Sequence, residues 1–170
     1  MTFSKLNLAR AFLALTMMAT LTACGFKLRG SEGYNLPFHS IYLGFTETSP
    51  LGAELRRNLR GLDGLTVLDN AKGAEAQLDV VSETRGKTIL SLNSQGRVRE
   101  YLLTYSLVFK VRNSAGVELL GPTEIALKRN IAFNEDAVLA KESEEAVLVR
   151  DMQTDLVQQI LRRLAAIKPV

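Results

Sequence analysis

The chain has 170 residues, of which 46% are hydrophobic, 23% charged and 6% aromatic, and these proportions are typical of a single globular domain. One cysteine and one histidine exclude an intramolecular disulfide and a Cys-rich or His-rich metal centre. The net charge is +3, and two of the 21 basic residues lie in residues 1–23, where no acid occurs. The remainder is close to neutral, so bulk charge does not support nucleic-acid binding.

The first 24 residues have the pattern of a bacterial lipoprotein signal. Lys5 and Arg10 precede an eleven-residue apolar run at residues 11–21. A membrane-spanning helix needs about 20 residues, whereas this run has the length of a signal-peptide core. The alternative is a buried helix that begins the fold. The run leads into Leu21-Thr22-Ala23-Cys24, which resembles a lipobox, so residues 1–23 are predicted to be a lipoprotein signal peptide.

The lipobox resemblance implies a lipid-modified N-terminus. Cys24 would be linked to diacylglycerol through a thioether, carry an N-acyl chain such as palmitate, and begin the mature protein. Buried acyl groups contribute about 0.8 kcal/mol per CH₂, so several chains hold a protein on a membrane. Gly25, where an aspartate would signal inner-membrane retention, resembles an outer-membrane address. Apart from these chains, no cofactor and no metal are expected.

The first third of the mature chain predicts a tether followed by a strand, a helix and a strand. Residues 24–37 contain glycine and proline without a sustained period, as expected of a lipidated tether. Apolar residues alternate over 39–45, which indicates a half-buried strand. Ser49 and Pro50 are typical of a helix start, and a short strand is predicted at 65–68. One face of the helix carries four leucines: Leu51, Leu55, Leu59 and Leu62.

The middle of the chain predicts three long strands in a meander. They cover residues 76–92, the alternating run 101–111 and residues 117–133, with turns at 93–96 and 113–116. Gly121 and Pro122 interrupt the last strand, which favours a bulge or an edge position.

A long helical pattern occupies residues 134–167, with Asn134 as the predicted N-cap. Its apolar stripe runs from Val149 to Ile167 with helical spacing. The order β-α-β-β-β-β-α predicts an α+β two-layer sandwich. In it, two helices pack on one face of a four- or five-stranded, mostly antiparallel sheet, forming one domain at residues 38–168.

Four basic residues flank the first predicted hairpin turn: Arg85 and Lys87 before it, Arg97 and Arg99 after it. An antiparallel hairpin is expected to bring all four to the same end of the sheet, beside the apolar segment 89–92. Such a cluster suits a ligand with phosphates and an apolar body, because arginine binds phosphate oxygens in pairs. The alternative is that these charges only keep a strand edge soluble.

The remaining charged residues do not form the pattern of a catalytic site. Acidic residues along the last helix, among them Glu144 and Glu145, are interpreted as a solvated face with i,i+3 and i,i+4 pairs. No nucleophile elbow or phosphate-binding loop occurs. His39 could act as a base only if a nucleophile and an orienting group met it in space. The chain is therefore not expected to be an enzyme.

Three segments resemble the LptE family of lipopolysaccharide-assembly lipoproteins. The first is CGFKLRG at residues 24–30, the second runs from Phe133 through Lys141 to residues 150–152, and the third is Glu100-Tyr101. The resemblance implies an outer-membrane lipoprotein that plugs the β-barrel LptD from the periplasmic side, lies inside its lumen, assists its assembly, and binds lipopolysaccharide. A near-neutral, polar body suits a barrel lumen, which is polar.

The resemblance also implies sites. Lys141 matches a family lysine implicated in lipopolysaccharide binding, whereas Ser94 stands where the family has a second basic residue. We hypothesise that Arg97 and Arg99 supply the missing charge, with Arg85 and Lys87 as further candidates. Two other interpretations remain open. One is a generic outer-membrane lipoprotein that contacts peptidoglycan or another barrel-assembly complex, and the other is a periplasmic hydrolase built around His39.

Overall fold

The computed structural model describes residues 34–168, and the predicted signal peptide, Cys24 and most of the tether lie outside this range. The part of the chain that it describes follows the predicted order of elements. These are β1 (Ser40–Gly44), α1 (Pro50–Arg60), β2 (Thr66–Leu68), β3 (Ala76–Leu92), β4 (Val98–Asn113), β5 (Glu118–Ala132), a 3₁₀ turn (Glu135–Ala137) and α2 (Val138–Ala165).

The five strands form one mixed sheet in the order β2-β1-β3-β4-β5. The long strands β3, β4 and β5 pair antiparallel, whereas β1 pairs in parallel with both β2 and β3. The prediction of a mostly antiparallel sheet is confirmed. Because β1 pairs with β3 only from Ala76 to Asp79, the rest of β3 has a described strand on its β4 side alone.

Helix α1 begins where its sequence predicts and ends at Arg60, so Leu62, the last of the four predicted leucines, lies just beyond it. The Ser49 hydroxyl accepts a hydrogen bond from the Gly52 amide at 3.0 Å, and Pro50 occupies the first turn, where its missing N–H costs nothing. Leu51, Leu55 and Leu59 are fully buried on one face. This face fixes α1 over the β1 side of the sheet.

Helix α2 starts slightly later than predicted. Asn134 caps the 3₁₀ turn through its side-chain oxygen, which accepts from the Asp136 amide at 3.0 Å, and the α-helix proper begins at Val138. The predicted apolar stripe is confirmed. Its buried part begins only at Met152, so the first half of α2 contributes little to the core.

Both helices pack on the same face of the sheet and share one hydrophobic core with it. Alternate residues of β4 face this core, and two of them are the fully buried aromatic residues Tyr105 and Phe109. The register shifts where β4 meets Gly121 and Pro122 of the edge strand β5, which confirms the predicted bulge and edge position.

The last residues of the predicted tether pack on this domain. Tyr34 and Leu36 contact the core, and the Tyr34 hydroxyl donates to Gln158 Oε1 at 2.9 Å. None of the helices described between residues 34 and 168 is long and apolar enough to cross a membrane.

Leu156→Ala is expected to lower the free energy of unfolding by about 2–5 kcal/mol, because Leu156 is fully buried and truncation leaves a cavity. Urea denaturation of the purified domain measures this change. Leu139→Ala is the matched control on the same helix, since Leu139 is 81% exposed, and its effect is expected to stay within about 0.5 kcal/mol. Equal effects of the two substitutions would contradict the packing described here.

Candidate functional site

A cleft separates the first half of α2 from the face of the sheet formed by β3 and β4. Two adjoining cavities of about 280 Å³ and 240 Å³ make up this cleft, and both are lined by Lys87 and Glu145. No residue of α2 before Met152 is fully buried, and only Leu148 and Val149 of its first half pack against the core. The cleft is therefore a place where the helix lies over the sheet without close packing.

Lys87 and Glu145 form the contact that divides the cleft. Lys87 Nζ donates to Glu145 Oε2 at 2.5 Å and lies 4.4 Å from the centroid of the Tyr101 ring. The two charged side chains are 38% and 28% exposed. An aromatic face and a carboxylate both favour the ammonium charge, so Lys87 is held in the cleft rather than extended into solvent.

Lys141 lines the same cleft from the helix side. Its ammonium group donates to Glu144 Oε2 at 2.7 Å, an i,i+3 pair of the predicted kind, and its side chain is 24% exposed. Lys87 is a candidate from the basic cluster of the hairpin, and Lys141 from the family resemblance. The structure brings them to one cavity, together with the rings of Tyr101 and Phe133, which meet edge to face at 5.3 Å.

Arg85 is held inside a polar network at the inner end of the cleft. Its guanidinium donates to the Tyr105 hydroxyl at 2.8 Å, and that hydroxyl donates to Glu83 Oε1 at 2.7 Å. The other oxygen of Glu83 accepts from the Ser49 hydroxyl at 2.8 Å, which links the network to the N-cap of α1. Burial raises the pKa of the Tyr105 phenol, and the hydrogen bond to Glu83 raises it further.

Arg97 and Arg99 lie at the far end of the hairpin. Asn93 Oδ1 accepts from the amides of Gln95 and Arg97 and so orders the predicted turn. The Arg97 guanidinium donates to Glu135 Oε2 at 2.9 Å. Among residues 34–168, no acid lies within ion-pair distance of Arg99.

The expectation that all four basic residues meet at the turn is wrong for Arg85 and Lys87. Arg85 pairs with Tyr105, whereas the hairpin closes at Leu92 and Val98. At about 3.3 Å per residue, this register places Arg85 roughly 20 Å from the turn. Strand β3 continues well beyond the two cations, and nearby acids on β3 and α2 hold them.

Glu145 is a site residue that its sequence pattern does not single out. The pattern predicts a solvated face, yet Glu145 pairs with the sheet, as does Asp155, which accepts from Arg129 of β5 at 2.6 Å. A usable signal was present, because Glu145 lies four residues before Val149 and seven before Met152. That spacing places Glu145 on the face of α2 that turns toward the core.

The remaining candidate residue, His39, does not line the cleft. The His39 side chain is 85% exposed, and its Nδ1 is 3.6 Å from a Glu75 carboxylate. Within the described range, no group of three or more His, Cys, Asp or Glu side chains could hold a metal ion.

Tyr105→Phe is expected to lower the free energy of unfolding by about 1–3 kcal/mol, since it leaves Arg85 and Glu83 without their shared partner in a partly buried setting. Urea denaturation again measures the loss. Tyr42→Phe is the control, because within residues 34–168 the Tyr42 hydroxyl has no hydrogen bond to lose. A Tyr105→Phe protein as stable as the parent would show that the network contributes nothing.

Comparison with known proteins places the chain in a family. The LptE family profile, described as lipopolysaccharide-assembly, matches residues 38–164. The LPS-assembly lipoprotein LptE of Pectobacterium atrosepticum is 27% identical over 157 residues, covering 91% of this chain and 84% of that one. The corresponding protein of Photorhabdus laumondii is 25% identical over 158 residues, with coverage of 91% and 84%.

Solved structures of related lipoproteins share the fold. Lipoprotein B of Nitrosomonas europaea superposes with a TM-score of 0.72 at 39% identity, covering 84% of this chain and 91% of that one. The rare lipoprotein B of Shewanella oneidensis gives a TM-score of 0.64 at 26% identity, covering 75% of this chain and 94% of that one. With a profile match over most of its length and these relatives, the chain belongs to the LptE family of lipopolysaccharide-assembly lipoproteins.

Proposed function

We propose that this protein is an outer-membrane lipoprotein that binds lipopolysaccharide and serves as the plug and assembly partner of the β-barrel LptD. Its anchor is the acylated Cys24, facing the periplasm, and its domain occupies the barrel lumen. The names of its relatives, which are LPS-assembly lipoproteins, support the lipopolysaccharide part of this role. The proposal assigns the protein binding and assembly, with no catalytic step.

The observation that carries the binding proposal is the placement of Lys87 and Lys141 in one cleft, with Arg97 and Arg99 at the adjoining end of the hairpin. The phosphates of lipopolysaccharide are the natural partners of such cations, and arginine can bind phosphate in a bidentate way. Apolar and aromatic walls beside the cations suit an amphiphile. Arg85 stays a weaker candidate, because Tyr105 and Glu83 already occupy its guanidinium.

Binding of an anion requires exchange of ion pairs that already exist. Lys87, Arg97 and Lys141 each contact a carboxylate, on Glu145, Glu135 and Glu144 respectively. Partly exposed pairs of this kind are worth about 0–1 kcal/mol, so a multiply charged phosphate group can displace them. The acids therefore keep the free protein near neutral at this end, while leaving the cations available to a stronger anion.

The plug proposal rests on the rigidity and polarity of the domain. One core joins both helices to the sheet, and Val67 of the shortest strand packs against it. The sheet face opposite the helices carries Thr84, Thr104, Ser106 and Lys128. Leu102 and Val108 also lie on this face, and its hydroxyl and ammonium groups suit contact with a polar lumen. The alternative, a lipoprotein that contacts peptidoglycan or another barrel-assembly complex, predicts a different partner.

Gentle detergent extraction with a tag after Val170 is expected to co-purify one large β-barrel protein at about one-to-one together with lipopolysaccharide. Mass spectrometry of the eluate identifies both, and an unrelated outer-membrane lipoprotein with the same tag is the control. Recovery of the lipidated protein without a barrel, or with peptidoglycan alone, would contradict the plug role.

Replacing Arg97 and Arg99 together by alanine is expected to weaken lipopolysaccharide binding by about tenfold at low salt, and by less at high salt, because two phosphate contacts are lost. Titration of the purified domain with lipopolysaccharide measures the change. Arg162→Ala with Arg163→Ala removes the same charge from exposed positions at the far end of α2 and is expected to leave affinity unchanged.

Glu145→Gln gives a change of the opposite sign in the same titration. It releases Lys87 from its carboxylate partner, so affinity for lipopolysaccharide is expected to rise.

Unchanged binding by the Arg97/Arg99 variant, or equal losses in both arginine pairs, would show that the hairpin charges do not contact the ligand.

A further inference from the structure

The end of the β3–β4 hairpin extends beyond the rest of the sheet. The last residue of β5, Ala132, pairs with Glu100, and the Phe133 amide still donates to the Arg99 carbonyl. Beyond that point, in the part of the chain that the structure describes, the two hairpin strands pair only with each other. We call residues 89–99 the hairpin tip. Ile89 lies at its inner edge, because its partner Tyr101 still pairs with Ile131 of β5.

The hairpin tip exposes three large apolar side chains within four residues. Ile89 is 58% exposed, Leu90 44% and Leu92 54%. Two register shifts occur here, and Leu90 is the unpaired residue between the Ile89 and Ser91 pairings. Single exposed apolar residues are ordinary, but a group of three at a protruding end is typical of an interaction site.

The charge of the hairpin indicates which kind of partner the exposed apolar side chains bind. Between Glu83 and Glu100 the sequence has four basic residues and no acid. Arg97 and Arg99 follow directly on the turn, so cations border the apolar group. Apolar residues beside cations are the pattern of segments that enter the boundary between headgroups and acyl chains of an anionic lipid. The polar wall of a barrel lumen would not remove these side chains from water.

We propose that Ile89, Leu90 and Leu92 insert among the acyl chains of the glycolipid while Arg97 and Arg99 contact its phosphates. This inference rests on the proposed lipopolysaccharide binding and deepens it, because it assigns the hydrocarbon of the ligand to a defined surface. The cleft under α2 then receives headgroup charge, and the hairpin tip receives hydrocarbon.

A single-tryptophan protein tests this directly, since the chain has no tryptophan of its own. Leu90→Trp is expected to show a blue-shifted emission and protection from acrylamide when lipopolysaccharide is added. Val117→Trp is the control, because Val117 is 54% exposed, against 44% for Leu90, but lies at the opposite hairpin. Its emission is expected to stay that of a water-exposed indole.

Serine substitution of the three apolar residues measures how much they contribute to the affinity for lipopolysaccharide. Ile89→Ser, Leu90→Ser and Leu92→Ser combined are expected to weaken lipopolysaccharide binding by roughly tenfold or more, as loss of buried apolar area requires. The exposed positions leave the core intact, so the variant is expected to unfold at the parent's urea midpoint. Val117→Ser is expected to bind as the parent does.

The outcomes separate this inference from the proposed function. If the parent protein does not bind lipopolysaccharide at all, the proposed function fails. If the parent binds but Trp emission at position 90 does not shift, the insertion is overturned and binding is through the cations alone. A shift of equal size with phosphatidylglycerol vesicles, or one that appears only with the barrel protein, would also overturn the assignment of the tip to glycolipid acyl chains.

Discussion

The length mismatch between the β3–β4 hairpin and the elements that cover it is the constraint on which the rest of the structure depends. Strands β3 and β4 have 17 and 16 residues, whereas β1 has five. One end of the hairpin is fully covered by α1, β1 and the second half of α2. The other end has only the loosely packed first half of α2 above it, and this end contains the cleft and the hairpin tip.

The same mismatch explains the distribution of charge. At the covered end, apolar residues fill the space between the layers. Arg85, at the inner end of the cleft and 40% exposed, contacts Tyr105 and Glu83 instead. At the uncovered end, side chains from two layers meet across water-accessible space. Ion pairs such as Lys87–Glu145 hold α2 over the sheet there, and they can exchange for other partners, unlike packed leucines.

Local sequence determines most of the fold, and for that reason the fold was predictable. Ser49-Pro50, Asn93 with Gly96, and the alternation along β4 each act within a few residues, and each prediction is confirmed. The cleft depends on how far α2 lies from a strand more than 50 residues away in sequence. Neither periodicity nor composition gives that distance, so the sequence predicts Lys87 at the same end of the sheet as Arg97 and Arg99, and Glu145 on a solvated face.

A stable end and an open end in one domain suit the two proposed roles, which make opposite physical demands. A plug must keep its shape against a barrel wall, and the shared core of Leu55, Phe109 and Leu156 provides that rigidity. Binding and release of an amphiphile need surfaces that exchange partners at low cost, and surface ion pairs and an exposed hairpin tip provide these. Because the hairpin strands run through both ends without a break, the rigid half positions the binding half, and the two roles can coexist in one small domain.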